Sequence, residues 1–168
     1  ETANLRDPGD PLSQKARIRE AARRLGFDAV GFARADVPLD VDFAHYRAFL
    51  EQGMNGEMAF LAENAEVRER LDQDTILPGA KSVICLARSY KRSQEDESRD
   101  PEFARSLARY ARGKDYHAFI RKKLRQLAVF VRQLQEGASA RPMADTAPVL
   151  ERAWAARSGL GFVGKNGI

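Results

Sequence analysis

The stretch from residue 115 to residue 136 places the strongest constraint on the fold. Aliphatic residues recur there at steps of four and three, namely Ile120, Leu124, Leu127, Val131 and Leu134. This spacing puts them on one face of an α-helix that has to pack on a core, and a glycine follows at the expected end. The opposite face is basic, with Arg121, Lys122, Arg125 and Arg132. That face is either solvated or a surface for RNA.

Shorter periodic runs predict the remaining elements. Helices are expected at 13–25 and 42–52, as one or two short helices within 56–71, and at 146–157. Strands are expected at 28–33, at 82–87 (buried on both faces), around 108–110, at 140–144 and from 162 onward, and a mobile surface loop at 91–101. Neither a Gly-x-Gly-x-x-Gly motif nor a phosphate-binding loop follows a strand. The predicted fold class is α/β (α+β), with a mixed central sheet flanked by helices.

Several single residues are expected to have structural roles within these elements. Ser13 should cap the first helix, and Pro148 should lie in the first turn of the last one. Met58, Phe60 and Leu61 are interpreted as buried anchors. Cys85, in the middle of an apolar run, is interpreted as a small buried hydrophobe rather than a reactive thiol.

The composition excludes several classes of function. One cysteine rules out an internal disulfide framework or a four-thiolate iron–sulfur cluster held by this chain alone, and two histidines leave little for any other metal site. No apolar run approaches the roughly 20 residues that span a bilayer, and residues 1–12 do not read as a signal peptide. The net charge is +4, with 28 basic and 24 acidic residues. This charge is compatible with an RNA partner but does not by itself indicate nucleic-acid binding. We therefore expect a cytoplasmic protein with no membrane contact and no metal ligands.

Asp145 is the first candidate for chemistry. It begins the stretch Asp-Thr-Ala-Pro-Val-Leu-Glu-Arg, where a predicted strand gives way to a predicted helix. A carboxyl group enclosed there by apolar neighbours or a large flat ligand favours its protonated form and can donate a proton. The alternative is that Asp145 only caps the helix. Glu151 and Arg152 are interpreted as ion-pair partners of their neighbours.

Two further segments carry polar residues at turns. Residues 109–117 read Arg-Tyr-Ala-Arg-Gly-Lys-Asp-Tyr-His and lead into the long helix, whose free amides favour anionic groups. The alternative is that these residues have only structural roles at the helix start, with Asp115 as the N-terminal cap and Tyr116 as a packing residue. Residues 159–166 read Gly-Leu-Gly-Phe-Val-Gly-Lys-Asn, in which the glycines let the backbone approach a ligand and the last two residues offer a cation and an amide. A tight turn is the alternative there.

In their order and spacing, these three segments resemble the N-terminal domain of the epoxyqueuosine reductases. The triplet Gly-Glu-Met at 56–58 and Arg70, placed eight residues before Pro78, add to the resemblance, which covers residues 13–168. It implies a domain similar to the nitroreductase-like fold and to the cobalamin domain of reductive dehalogenases. It also implies that the chain is truncated before a ferredoxin-like domain with 4Fe-4S clusters. Residues 1–12, which are polar and contain Pro8 and Pro11, are expected to form a flexible tail.

The resemblance further implies an activity. Family members reduce epoxyqueuosine to queuosine in tRNA, with cobalamin bound in this domain and fed by two 4Fe-4S clusters in the absent C-terminal domain. Asp145 matches the proton donor to the epoxide oxygen. Residues on stretches that line the cobalamin pocket are Arg70, Ala108, Tyr110, His117, Lys165 and Asn166. We expect a monomer that is inactive as a fragment. The alternatives are a flavin-dependent nitroreductase-like oxidoreductase and a non-catalytic basic RNA-binding module.

Overall fold

The computed structural model describes residues 11–91, 93–99, 101–113, 115–145 and 147–165. The helices are α1 (Pro11–Arg24), α2 (Asp40–Glu51), α3 (Ala59–Ala62), α4 (Gln94–Ser98), α5 (Tyr116–Leu134) and α6 (Glu151–Arg157). The strands are β1 (Ala29–Arg34) and β2 (Ser82–Ala87), and short 3₁₀ turns lie at Ala65–Arg68, Glu102–Ser106 and Arg109–Ala111. The predicted tail, 1–12, lies almost wholly outside the described residues. Within those ranges no helix is long and apolar enough to cross a lipid bilayer.

The two strands pair antiparallel, with Gly31 opposite Cys85. In the described part of the chain they are the whole sheet, so the α+β class is confirmed, whereas the predicted mixed central sheet is not found there. The strands predicted at 108–110 and 140–144 are wrong, because the first segment is a 3₁₀ turn and the second is irregular. Of the strand predicted from 162, residues 162–165 are irregular and the rest lies outside the described residues. A strand-like sequence forms a strand only when a neighbour completes its ladder of hydrogen bonds.

The core consists of two clusters, one on each face of the sheet. Because alternate residues of a strand point to opposite faces, Val83 and Cys85 pack on one cluster, while Ile84 and Leu86 pack on the other. The first cluster joins α2 and α6 around Trp154, which is 1% exposed. The second cluster lies between α1 and α5, and its buried members are Ile18, Ala22, Phe27 and Leu127. Thus β2 contacts apolar side chains on both faces as predicted, although its own side chains are only half-buried.

The helices with the clearest periodicity are confirmed to within two residues. The first predicted helix begins earlier than expected, at Pro11, so Ser13 lies inside its first turn and does not cap it. The long helix is capped by Asp115, whose carboxylate accepts a hydrogen bond from the His117 backbone N–H at 2.9 Å. This contact satisfies one of the free amides at the helix start.

Predictions for the short segments were less accurate. Met58 and Phe60 are 47% and 61% exposed, so their interpretation as buried anchors is wrong. The short helix α3 does not reach the core, and Val67 and Leu71 fill those positions instead. Residues 91–101 contain α4, whose exposed Glu95 and Arg99 pair across one helical turn, which the loop prediction did not include. The last helix begins only at Glu151 and not at 146, so Pro148 precedes it.

Candidate functional site

A cavity of about 800 Å³ lies between the layer containing α5 and the layer containing α6. Its inner wall is β2, and apolar side chains of both layers form its sides. The apolar lining includes Val83, Ile84, Leu86, Phe119, Ile120, Leu124, Val149, Trp154 and Ala155. Cys85 belongs to this wall, and burial raises the pKa of its thiol, so it behaves as the predicted small hydrophobe. One end of the cavity is polar and contains the candidate site.

Asp145 is the centre of the polar end. Its backbone is left-handed, with φ at +57°, which is uncommon for a residue other than glycine. The surrounding contacts hold it there: its N–H donates to Glu151 Oε1 at 2.9 Å, and its Oδ2 accepts from the Tyr116 hydroxyl at 2.7 Å. Because Tyr116 begins α5 and Glu151 begins α6, the starts of these two helices meet at Asp145, the first at its carboxylate and the second at its backbone N–H.

His117 connects Asp145 to a second carboxylate. Its Nε2 lies 3.1 Å from Asp145 Oδ2, and its Nδ1 lies 2.6 Å from Asp115 Oδ1. The imidazole also stacks on the Tyr116 ring, with centroids 4.2 Å apart. The side chain of Asp115 is 72% exposed, whereas that of His117 is 35% exposed. The Asp145 side chain is 43% exposed, so His117 bridges two carboxylates that both reach solvent, one of them at the mouth of the cavity.

Three pKa shifts follow from these contacts. The hydrogen bond to the Asp145 carboxylate raises the pKa of Tyr116 to about 12, so this hydroxyl keeps its proton at neutral pH. The hydrogen bonds from the His117 backbone and ring lower the pKa of Asp115. Partial loss of hydration raises the pKa of Glu151 and the Asp145 charge adds to the rise, while the hydrogen bond from the Asp145 N–H opposes it. The polar end thus combines a permanent donor, a histidine and carboxylates.

Three tyrosine rings form a wall beside Asp145. Tyr90 and Tyr110 meet edge to face with centroids 6.4 Å apart, and Tyr110 meets Tyr116 in the same way at 6.2 Å. Their exposed fractions are 63%, 56% and 38%. The loop after β2 carries Tyr90, and the 3₁₀ turn Arg109–Ala111 carries Tyr110. Exposed rings grouped in this way offer apolar area to a large ligand with a flat face.

The structure brings together only part of the predicted site. Asp145 and Tyr110 line the cavity, and His117 reaches it through its contact with Asp145. Ala108 and Lys165 are exposed and do not line it.

Arg70 lies in a separate cleft beside Pro38, where its Nε is 3.1 Å from Asp72 Oδ1. Asn166 lies outside the described residues. The cofactor-binding roles assigned to these residues therefore stay predictions.

Sequence reasoning missed one residue of the polar end, Tyr90, and gave another, Glu151, a different role. Tyr90 lies three residues after the end of β2, and this position just beyond a strand is the one sequence feature that could have indicated a site residue. Glu151 was interpreted as an ion-pair partner, whereas it accepts a hydrogen bond from the Asp145 backbone. The described residues contain no group of three His, Cys, Asp or Glu side chains that could hold a metal ion.

Comparisons with known proteins agree on one family. The family model described as "Epoxyqueuosine reductase QueG, DUF1730" matches residues 70–146. The chain is 42% identical to the epoxyqueuosine reductase of Gloeobacter violaceus over 152 residues, which are 90% of this chain and 45% of that protein. It is 38% identical to the epoxyqueuosine reductase of Pseudomonas aeruginosa over 162 residues, which are 95% of this chain and 44% of that protein.

Solved structures give the same result. The crystal structure of a selenomethionine-labelled epoxyqueuosine reductase matches with a TM-score of 0.78 at 30% identity, covering 95% of this chain and 42% of that one. The epoxyqueuosine reductase from Streptococcus thermophilus matches with a TM-score of 0.76 at 29% identity, covering 92% of this chain and 40% of that one. The chain thus spans less than half the length of these relatives. The resemblance to epoxyqueuosine reductases that the motifs indicated is confirmed.

Proposed function

We propose that this chain, a relative of the epoxyqueuosine reductases, is the part of such a reductase in which the epoxide oxygen of epoxyqueuosine in tRNA receives its proton. The conversion to queuosine removes one oxygen, so it consumes two electrons and two protons and releases water. The observation that carries the proposal is the convergence of Tyr116 and His117 on Asp145 at the open end of a cavity. An epoxide placed there would meet a carboxyl group that two residues of α5 orient, while Glu151 of α6 holds the Asp145 backbone.

Asp145 is the proton donor in this proposal, and its neighbours have separate tasks. Tyr116 donates its hydroxyl hydrogen to Oδ2 and so orients the carboxyl group, because a pKa near 12 makes the hydroxyl itself a poor acid at neutral pH. Asp145, whose side chain is 43% exposed, would regain its proton from solvent directly or through the ring nitrogens of His117, which contact Asp115 and Asp145. Either route would return Asp145 to its protonated form between turnovers.

Cobalamin is the cofactor we propose for the electron transfer. The fit rests on the tyrosine wall, since Tyr90, Tyr110 and Tyr116 offer apolar area for a macrocycle beside the proton donor. When bound, cobalamin would supply reducing electrons, and in this proposal the 4Fe-4S clusters that recharge it belong to the part of the relatives that this chain does not span. Titration of the protein with cobalamin, followed by visible absorbance, tests the assignment. Binding of flavin in place of cobalamin would support the nitroreductase-like alternative.

The proton-donor role is tested by Asp145→Asn in the complete reductase. We expect conversion of epoxyqueuosine in tRNA, measured by mass spectrometry of the digested nucleosides, to fall at least a hundredfold while cobalamin binding persists. Asp36→Asn is the matched control, because Asp36 pairs with Arg34 away from the cavity. Unchanged turnover in Asp145→Asn would show that Asp145 is not the proton donor and has only a structural role.

The distribution of charge supports tRNA as the partner. α1 has five basic residues and one acidic residue, and α5 has five basic residues and no acidic one, so together they carry +9. The whole chain carries +4, which leaves −5 for the remainder. The two helices pack on each other around the second core cluster, so the positive charge lies on one side of the molecule. We propose that this basic side binds the phosphate backbone of tRNA.

A salt titration tests the tRNA surface. Replacing three exposed residues of α5 by alanine, Arg121, Lys122 and Arg125, should lower the slope of log affinity against log salt by about 2–3, since each lost phosphate contact removes about 0.9 from the slope. An unchanged slope would place the contacts elsewhere. A non-catalytic RNA-binding module would use the same surface. In that case Asp145→Asn should bind tRNA as the parent does, and the complete protein should not convert epoxyqueuosine.

A further inference from the structure

His117 lies between two carboxylates, and its contacts fix the number of hydrogens that these side chains hold. Its Nδ1 is 2.6 Å from Asp115 Oδ1, and its Nε2 is 3.1 Å from Asp145 Oδ2. A ring nitrogen without a hydrogen presents a lone pair, which a carboxylate oxygen repels, so each contact contains a hydrogen. A neutral imidazole has only one hydrogen on its two nitrogens. The two contacts therefore contain one hydrogen more than a neutral histidine and two carboxylates provide.

The extra hydrogen lies on the Asp145 side of the ring. Asp115 accepts hydrogen bonds from the His117 backbone and ring, which lower the pKa of this carboxyl, so at neutral pH it is ionised and Nδ1 is the donor. Stacking on the Tyr116 ring, with 21° between the planes, holds the imidazole in this orientation. The second hydrogen is thus between Nε2 and Asp145 Oδ2, and the total number of protons is the same whichever of these atoms binds it.

The other neighbours of Asp145 do not provide this hydrogen. Tyr116 donates to Asp145 Oδ2, but this hydrogen bond raises the pKa of Tyr116 to about 12, so the proton stays on the tyrosine oxygen at neutral pH. Further charged or titratable groups that face these side chains are Arg121 near Asp115, Tyr110 beside Tyr116, and Glu151 at the Asp145 backbone. Among the described residues, His117 is the side-chain contact of Asp145 whose type changes charge near neutral pH.

A proton donor that works at neutral pH needs such a neighbour. A carboxyl group in water keeps its proton in only about one molecule in a thousand at pH 7. The side chain of Asp145 is 43% exposed, so enclosure by the cavity alone does not secure its proton. An imidazole retains a second hydrogen up to near-neutral pH, and here that hydrogen already contacts the donor oxygen.

We propose that His117 stores the proton that Asp145 delivers, and so makes Asp145 an acid at neutral pH. His117 acts through Asp145 without touching the substrate, so this role rests on the proton-donor function proposed above. The Nε2–H bond breaks, and the proton passes through Asp145 to the epoxide oxygen. An O–H bond forms there as a ring C–O bond breaks and leaves its electron pair on the oxygen. Asp145 remains a carboxylate, His117 becomes neutral, and solvent restores the proton. The two electrons of the overall conversion come from the proposed cofactor.

The pH dependence of turnover in the complete reductase tests this role. His117→Gln keeps a hydrogen-bond donor beside Asp145 but cannot store a proton. At pH 7 its kcat for epoxyqueuosine in tRNA should fall about a hundredfold, while KM stays within about twofold of the parent. Turnover of the variant should rise about tenfold for each unit that the pH is lowered from 8 to 5, because a lone carboxyl gains protons in that proportion. Turnover of the parent should level off within this range, since its stored proton is then fully present.

His45→Gln is the matched control for this substitution. His45 is the other histidine of the chain, and it is exposed on α2 and does not line the cavity. Its kcat and pH profile should match those of the parent. A ratio of His117→Gln turnover to parent turnover that is the same at every pH would show that His117 has only a structural role, and would overturn the proposal.

Nitrogen-15 NMR of the reductase labelled at histidine reads the hydrogens without turnover. At pH 7 we expect Nε2 of His117 to carry hydrogen in the parent but not in Asp145→Asn, whose side-chain N–H donates to this nitrogen. The His117 signals are assigned by their loss in His117→Gln. Identical ring signals in the parent and Asp145→Asn overturn the stored proton. If Asp145→Asn is inactive, the donor role survives that result, whereas an active Asp145→Asn overturns both proposals.

Discussion

Gly31→Ala is expected to destabilise the fold because α6 packs directly against the backbone of β1. A Cβ at residue 31 would lie 2.6 Å from the backbone oxygen of Ser158 and 2.8 Å from its Cβ. Carbon atoms in contact prefer separations of about 3.5–4.0 Å, so the end of α6 would have to move by roughly 0.7 Å. The closest atoms belong to Ser158, whose backbone follows a helix, so rotation of a side chain cannot relieve the overlap.

The magnitude follows from two opposing effects of the added methyl group. Overpacking of a tight site costs about 1–3 kcal/mol, and a clash with backbone belongs in the upper part of that range. Alanine also leaves the unfolded chain less conformational freedom than glycine does, and this effect stabilises the folded state by about 0.5–1 kcal/mol. The net loss in the free energy of unfolding is about 2 kcal/mol. With a urea m-value of about 1–3 kcal/mol/M, the midpoint should fall by about 1 M at constant m.

Urea unfolding followed by tryptophan fluorescence measures this shift, because Trp154 is buried in the same packing unit. Gly113→Ala is the control: a Cβ there meets no atom within 4 Å, and its backbone is not left-handed. Its midpoint should stay within about 0.3 M of the parent. A midpoint for Gly31→Ala equal to that of the control would refute the close packing of α6 on β1.

Two further predictions concern the polar end of the cavity. Tyr116 should ionise near pH 12, and Asp145→Asn should lower the pKa of this phenol toward 10, as ultraviolet titration would show; a titration unchanged by the substitution would rule out the hydrogen bond. Because the pKa of Glu151 is raised on folding, the parent should lose stability relative to Glu151→Gln as the pH rises from 4 toward 7, and parallel unfolding curves at all pH values would contradict the desolvation of this carboxyl.

Local patterns predicted the helices well and the strands poorly, for a physical reason. A helix closes its hydrogen bonds within its own segment, so the spacing of apolar residues in α1 and α5 was sufficient. A strand depends on a neighbour that the local sequence does not reveal. The segment 140–144 shows the consequence: the Arg141 guanidinium donates to the carbonyls of Thr75 and Ile76, both at 2.6 Å, and no ladder forms.

The candidate site was predictable only where motif order carried information. Asp145 and His117 were selected from separate segments, and the structure places their side chains 3.1 Å apart. The left-handed backbone of Asp145 was not predictable, because its contacts with Tyr116 and Glu151 involve residues that lie 29 and 6 positions away. Arg70 shows the reverse case, since the structure places it in another cleft.

The two parts of the cavity respond to different physical effects, which makes their roles separable. At the polar end, Tyr116 and Asp145 are partly exposed and contact each other by hydrogen bonds, so substitutions there should alter proton transfer with little loss of stability. Along the apolar part of the cavity, β2 contacts both core clusters, so substitutions there should lower the free energy of unfolding and leave proton transfer at Asp145 unaffected.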